Sequence, residues 1–132
     1  MSVQLNSATL VIGVVILFST PFAMATEASK ALLQDYENEV NGTFSAQSGK
    51  QFWYKDNNGR SCTSCHTESL LVKGRHERTG KIIEPMAPSV NPERLTKVKK
   101  IKKWLLRNCK WTLGRECTTR EKGDVLLWLI QQ

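Results

Sequence analysis

The residues of this chain whose types and spacing could do chemistry are Cys62-Thr63-Ser64-Cys65-His66. Two thiols three positions apart can add to the vinyl groups on neighbouring edges of a porphyrin, and the imidazole that follows then falls beneath the iron. The motif predicts one covalent haem c, with Cys62 and Cys65 as the thioether residues and His66 as the proximal iron ligand. The other ring nitrogen of His66 is expected to donate to a backbone carbonyl, the Pro-rich loop that follows being the candidate source. Three rival readings are weaker. A thioredoxin-like redox pair belongs beside a βαβ pattern, which the sequence lacks. A zinc site built from Cys62, Cys65, Cys109 and Cys117 would have to keep thiolates free in an oxidising compartment and span the long gap after Cys65. A chance histidine beside unrelated cysteines fits poorly in a chain with 4 Cys and 2 His.

The start of the chain sets the compartment. Residues 8–18 are almost wholly apolar, the small-residue triplet Ala23-Met24-Ala25 follows, and charge begins at Glu27. This is the shape of a secretory signal peptide, although its first residues carry no Lys or Arg. The run falls short of the about 20 apolar residues of a membrane span, so the expected arrangement is a cleaved segment 1–25 and a mature domain 26–132, with an uncleaved anchor as the alternative. Export to the periplasm also closes the cysteine arithmetic: haem takes Cys62 and Cys65, which leaves Cys109 and Cys117 for one disulfide. Every charged residue lies beyond Ala25, so the mature chain keeps the net charge of +7. That balance suits acidic surfaces of many kinds. Lys97, Lys99, Lys100, Lys102 and Lys103 read as a solvated helix face, or more sharply as a docking face for an acidic redox partner. No nucleic-acid partner is expected, because the protein is exported and no recognition motif accompanies the run.

The elements that must position these residues read as helices. Residues 28–40 carry apolar side chains at helical spacing, with Gly42 just past them as a stop. A second helix over 46–55 ends at the turn Asp56-Asn57-Asn58-Gly59. Residues 67–92 are broken by Gly74, Gly80, Pro85, Pro88 and Pro92 and form a long loop of the kind that usually wraps something. Helical period returns over 95–109, and Thr118-Thr119-Arg120-Glu121 is a capping box that opens a final helix. No segment alternates like a strand. The expected fold is all-α: a single class I cytochrome c-like domain with long irregular loops around one covalent haem. Large aliphatic residues are sparse between Gly42 and Pro92, a deficit that a buried porphyrin would fill.

A sixth iron ligand could come from His76, Met86 or Asn108. Met86 would make an ordinary His/Met electron carrier, with an apolar filler as its plain alternative. His76, in a charged stretch, ranks below it. Asn108 falls at 100° steps on the arc between Ile101 and Trp104 and so points inward; a local helix cap is its default role.

The chain resembles the SHP type (sphaeroides haem protein) of high-spin c-type cytochromes. The resemblance is carried by Ser61 through His66, Thr79-Gly80-Lys81, Ala87-Pro88-Ser89, Pro92-Glu93-Arg94, Lys103-Trp104-Leu105-Leu106-Arg107-Asn108-Cys109, Leu113 through Thr118, and Glu121 through Asp124. The segment before Gly49 carries little of it, and Lys73-Gly74-Arg75-His76-Glu77-Arg78 looks individual to this chain. The resemblance implies iron ligation by His66 and Asn108, the asparagine directly preceding the first cysteine of the Cys109–Cys117 disulfide. It implies that Asn108 leaves on reduction, so that the ferrous haem binds oxygen or another diatomic (O2, CO, NO), and that Met86 is a loop residue. It further implies electron exchange with a dihaem cytochrome c, with passage of electrons to oxygen as one outcome. A sensor or scavenger of diatomics without directed electron flow is the rival from the binding class. An amide is a feeble, hard donor, poorly matched to ferrous iron, which fits an exchangeable ligand.

Overall fold

Caps decide where the helices begin and end. In the computed structural model, which describes residues 26–132, Thr26 caps α1 (Glu27–Val40) by accepting the Ser29 N–H at 3.2 Å, and its hydroxyl also donates to the Leu95 carbonyl at 2.7 Å. Asn41, in the left-handed region at φ 48°, ends the helix one residue before the glycine expected to do so. Asparagine tolerates that conformation because its short amide can bond locally. Ser45 caps α2 (Ala46–Tyr54), and a single turn, α3 (Thr63–His66), carries the motif. The signal segment expected over 1–25 lies outside the described residues. Among those described, no helix is long and apolar enough to cross a membrane.

Two corrections concern element boundaries. The helix expected over 95–109 is α4 (Val98–Leu113). Leu95, at φ 58°, cannot belong to its start, and at the far end nothing stops the turn until Gly114 supplies the left-handed cap at φ 72°. The loop over 67–92 also contains a small antiparallel hairpin, β1 (Gly74–Arg75) paired with β2 (Ile82–Ile83), Gly74 opposite Ile83 and Arg75 opposite Ile82. Two residues per strand are too few to show alternation. What makes the hairpin is its turn, where the His76 N–H donates to Lys81 O and the Gly80 N–H to His76 O, each at 2.8 Å.

Otherwise the fold is mostly helical, as expected. The capping box of α5 (Thr119–Leu129) is fully formed, with the Thr118 hydroxyl accepting the Glu121 N–H at 3.2 Å and Glu121 accepting the Thr118 N–H at 2.8 Å. α5 is the central element: Val125, Trp128 and Leu129 pack with Trp53, Leu70 and Ala87, and Leu126 and Ile130 pack with Leu32, Tyr36 and Ile101. α2 crosses it closely. A Cβ on Gly49 would collide with the Asp124 carbonyl, and buried Asp124 accepts the Ser45 N–H at 2.7 Å.

Candidate functional site

Local hydrogen bonds shape the motif turn. Cys62 begins it in helical conformation, the His66 and Thr67 amides donate to Cys62 O and Thr63 O at 3.1 and 2.9 Å, and the Ser64 hydroxyl accepts the Ser61 N–H at 3.0 Å. Thr67 then leaves at φ 62°, ψ 176°, a region that is nearly glycine's alone. A β-branched residue there costs about 1–3 kcal/mol, and the abrupt exit sends Leu70 down into the core beside Trp53.

Both motif thiols are unbonded and half-buried, whereas Cys109 and Cys117 are buried and joined, with their Cα atoms 5.5 Å apart. Burial pushes the Cys62 thiol up to about 12. A redox-active thiol needs the opposite shift, and the disulfide leaves no four-cysteine set for zinc. Among the described residues no cluster of three or more metal-ligating side chains is formed.

His66 is held neutral, its pKa pushed down to about 4 by burial first and by the nearby Arg94 charge second. Its ring lies 5.2 Å from that of Trp53, which in turn meets Trp128 at 5.5 Å. The second-nitrogen contact expected from the sequence is not made. Nδ1 of His66 is buried without a hydrogen-bond partner, as is Nε1 of Trp53. The carbonyls of the Pro-rich loop are engaged elsewhere: Arg94 donates to Glu84 O and, through Nε, to Pro85 O at 2.8 Å, and Asn91 donates to Pro85 O at 3.0 Å. The donor set fits a covalent haem: two free thiols on one helical turn and a neutral imidazole with an orphaned nitrogen.

The three candidate sixth ligands sit in different surroundings. Met86 is partly buried against the cluster that contains Trp53, Leu70 and Ala87, and its amide donates to Leu70 O at 3.0 Å, so it serves as an apolar filler. His76 accepts the Thr79 N–H at 3.3 Å through Nδ1 and shapes the hairpin turn. Asn108 is not on the buried arc of α4, which belongs to Ile101, Cys109 and Thr112. It lies on the arc between Ile101 and Trp104, as its spacing predicts, but there its side chain is exposed, four residues after exposed Trp104 and three before Trp111. Nor is it a cap. α4 runs on to Leu113, and the Asn108 side chain makes no hydrogen bond to any described residue.

Contacts that the sequence did not announce bring these pieces together. Arg60, two residues before Cys62, stacks its guanidinium 5.0 Å from the Trp111 ring and donates to Trp111 O at 3.2 Å. The motif segment is thus tied to α4 one turn beyond Asn108. On the other side the hairpin is seated on Cys65: a Cβ on Gly74 would collide with the Cys65 carbonyl, and the Glu77 N–H points at Cys65 Sγ at 3.4 Å. The only sequence signal for the first contact is an arginine beside the motif and an indole on the far helix. For the second it is a glycine at a strand start, which marks close backbone approach.

Comparison with known proteins agrees with this arrangement. Residues 39–129 match a family described as a domain of unknown function, DUF1924. The chain is 39% identical over 116 residues to the cytochrome c-type protein SHP of Cereibacter sphaeroides, covering 83% of this chain and 89% of that one. It is 33% identical over 129 residues to cytochrome c'' of Methylophilus methylotrophus, covering 89% of each. The solved structure of oxidised SHP, an oxygen-binding cytochrome c, superposes with a TM-score of 0.74 at 37% identity, covering 83% of this chain and all of that one.

Proposed function

The chain belongs to the DUF1924 family and to the SHP-type c-type cytochromes, and on that premise we propose that it is an exported monohaem cytochrome with an exchangeable sixth ligand. The observation that carries the reading is the sorting of the cysteines. Cys109 and Cys117 are consumed in a disulfide, while Cys62 and Cys65 stay unbonded beside a half-buried, neutral His66. Cys62 and Cys65 hold the haem through thioethers, and His66 is the proximal ligand. When bound, the haem supplies a one-electron iron couple and, when ferrous, a coordination position for a diatomic. Asn108 is the sixth ligand and leaves on reduction. Its flank position and the lack of a side-chain hydrogen bond among the described residues leave its amide uncommitted, and the disulfide beside it holds the backbone, so release is a side-chain swing. Met86, occupied in core packing, would not be called on as a ligand.

The protein works in the periplasm after cleavage behind Ala25 and takes electrons from an acidic redox partner, a dihaem cytochrome c being the family's implied donor. Absorption spectra of the exported protein, oxidised, reduced with dithionite, then exposed to carbon monoxide, test the reading. The expected result is a high-spin ferrous haem that shifts on carbon monoxide. A sharp low-spin ferrous spectrum indifferent to carbon monoxide would remove Asn108 as a leaving ligand and return Met86 to consideration.

A further inference from the structure

The basic face of α4 is the obvious place for an acidic partner, yet its lysines are poorly placed to deliver an electron. Lys99 and Lys103 lie at 100° steps on the arc opposite Ile101, so the width of a helix, about 10 Å, separates them from that buried side. The hairpin over 74–83 is placed differently. Its inner side is Gly74 against the Cys65 backbone, with the Glu77 amide at the Cys65 sulfur. Its outer side exposes Ile82, 47% accessible, opposite Arg75, and Leu71, 56% accessible, lies in the turn three residues before the hairpin. Around them stand Arg75, Arg78 and Lys81, none in an ion pair among the described residues, against two acids, Glu68 and Glu77, that are also unpaired there.

We propose that this outer hairpin face is the docking surface for an acidic one-electron donor protein, with Ile82 as its apolar centre and Arg75, Arg78 and Lys81 as its steering charges. The proposal rests on the haem reading above. With haem bound, Cys65 would stand between a docked donor and the group it holds; the donor would give up one electron to the haem, with no bond or proton transferred. Small, partly polar interfaces with charge steering suit such brief encounters.

The test uses the haem-loaded protein and oxidised flavodoxin, an acidic electron-transfer protein, as the probe, with binding read from amide shifts and, separately, the rate of reduction by flavodoxin hydroquinone. Arg78 and Lys81 donate no side-chain hydrogen bond, so Arg78→Glu/Lys81→Glu leaves the hairpin's own bonding intact. Shifts are expected to concentrate on residues 71–83. The double variant should raise Kd about tenfold at low ionic strength and slow reduction in step, the difference fading with salt, while Lys99→Glu/Lys102→Glu changes Kd less than about threefold. Shifts centred on α4, a stronger effect of the α4 pair, or a hairpin variant that binds like the parent would overturn the proposal alone. A purified protein without covalent haem would overturn it together with the haem reading.

Discussion

Asn108 shows what a single side chain can and cannot disclose. Its amide stands on the flank of α4 between two indoles, with Arg107 5.4 Å and Lys103 5.8 Å from the Trp104 ring. Among the described residues this polar group neither caps nor bridges anything, which leaves it available to another partner. Replacing it tests that role without breaking a side-chain hydrogen bond or a buried cluster among those residues. Asn108→Ala should change the unfolding free energy by no more than about 0.5 kcal/mol, as for other surface changes, and should alter the ferric absorption spectrum while leaving the ferrous carbon monoxide complex unchanged. An unaltered ferric spectrum would end its candidacy. His66 and the two motif cysteines are legible for a different reason: their chemistry is written in adjacent positions and needs no knowledge of the fold.

At the scale of elements, the link from α4 to α5 is the most heavily secured segment of the described chain. The disulfide closes it, Lys110 pairs with Glu116 at 3.0 Å, and Arg115 grips both oxygens of Glu121 at 2.8 and 2.7 Å. The Glu121 carboxyl is held down at about 2, chiefly by the Arg115 hydrogen bond and further by the Thr118 amide, from an ordinary value of 4.5. Because the folded value is depressed, ionised Glu121 adds stability above about pH 4.5 and loses that contribution as pH falls toward 2. Glu121→Gln should therefore unfold at lower urea than the parent at pH 7, with the two curves converging between pH 4.5 and 2; a gap that stays constant across this range would rule out the ion pair. Thr118→Ala, which removes the hydroxyl side of the same box, should cost about 1 kcal/mol by urea denaturation at neutral pH.

At the scale of the whole molecule, the crossing of α2 over α5 decides where the motif turn can lie, since the chain leaves α2 a few residues before Cys62. Gly49 allows that crossing by its lack of a side chain. Gly49→Ala should destabilise by about 1–3 kcal/mol, the usual cost of forcing extra atoms into a filled contact, and a variant as stable as the parent in denaturant would contradict the crossing. The N-terminus makes a second whole-chain prediction. Thr26, the first residue after the expected cleavage, already caps α1 and donates to Leu95 O across the fold. Mass spectrometry of the exported protein should therefore find a chain starting at Thr26 and carrying one haem, whereas a mass that includes residues 1–25 would establish an anchor.

The sequence by itself determined the Cys-x-x-Cys-His motif, the pairing of the remaining cysteines, the mostly helical class and the capping box of α5, because each depends on residues adjacent in the chain or on a count. Helix ends were less legible: Asn41 and Gly114 fix them through single left-handed residues, and several nearby residues could have done so. Only the tertiary structure decided that Met86 is core packing, that Asn108 lies on a flank without a bond, that Arg60 ties the motif to α4, and that Gly74 lets a hairpin sit on Cys65. Each of these joins residues distant in sequence. Such contacts depend on how whole elements rotate and cross, a few tens of degrees of rotation are enough to move a side chain from the core to a flank, and no local pattern of residue types fixes that angle.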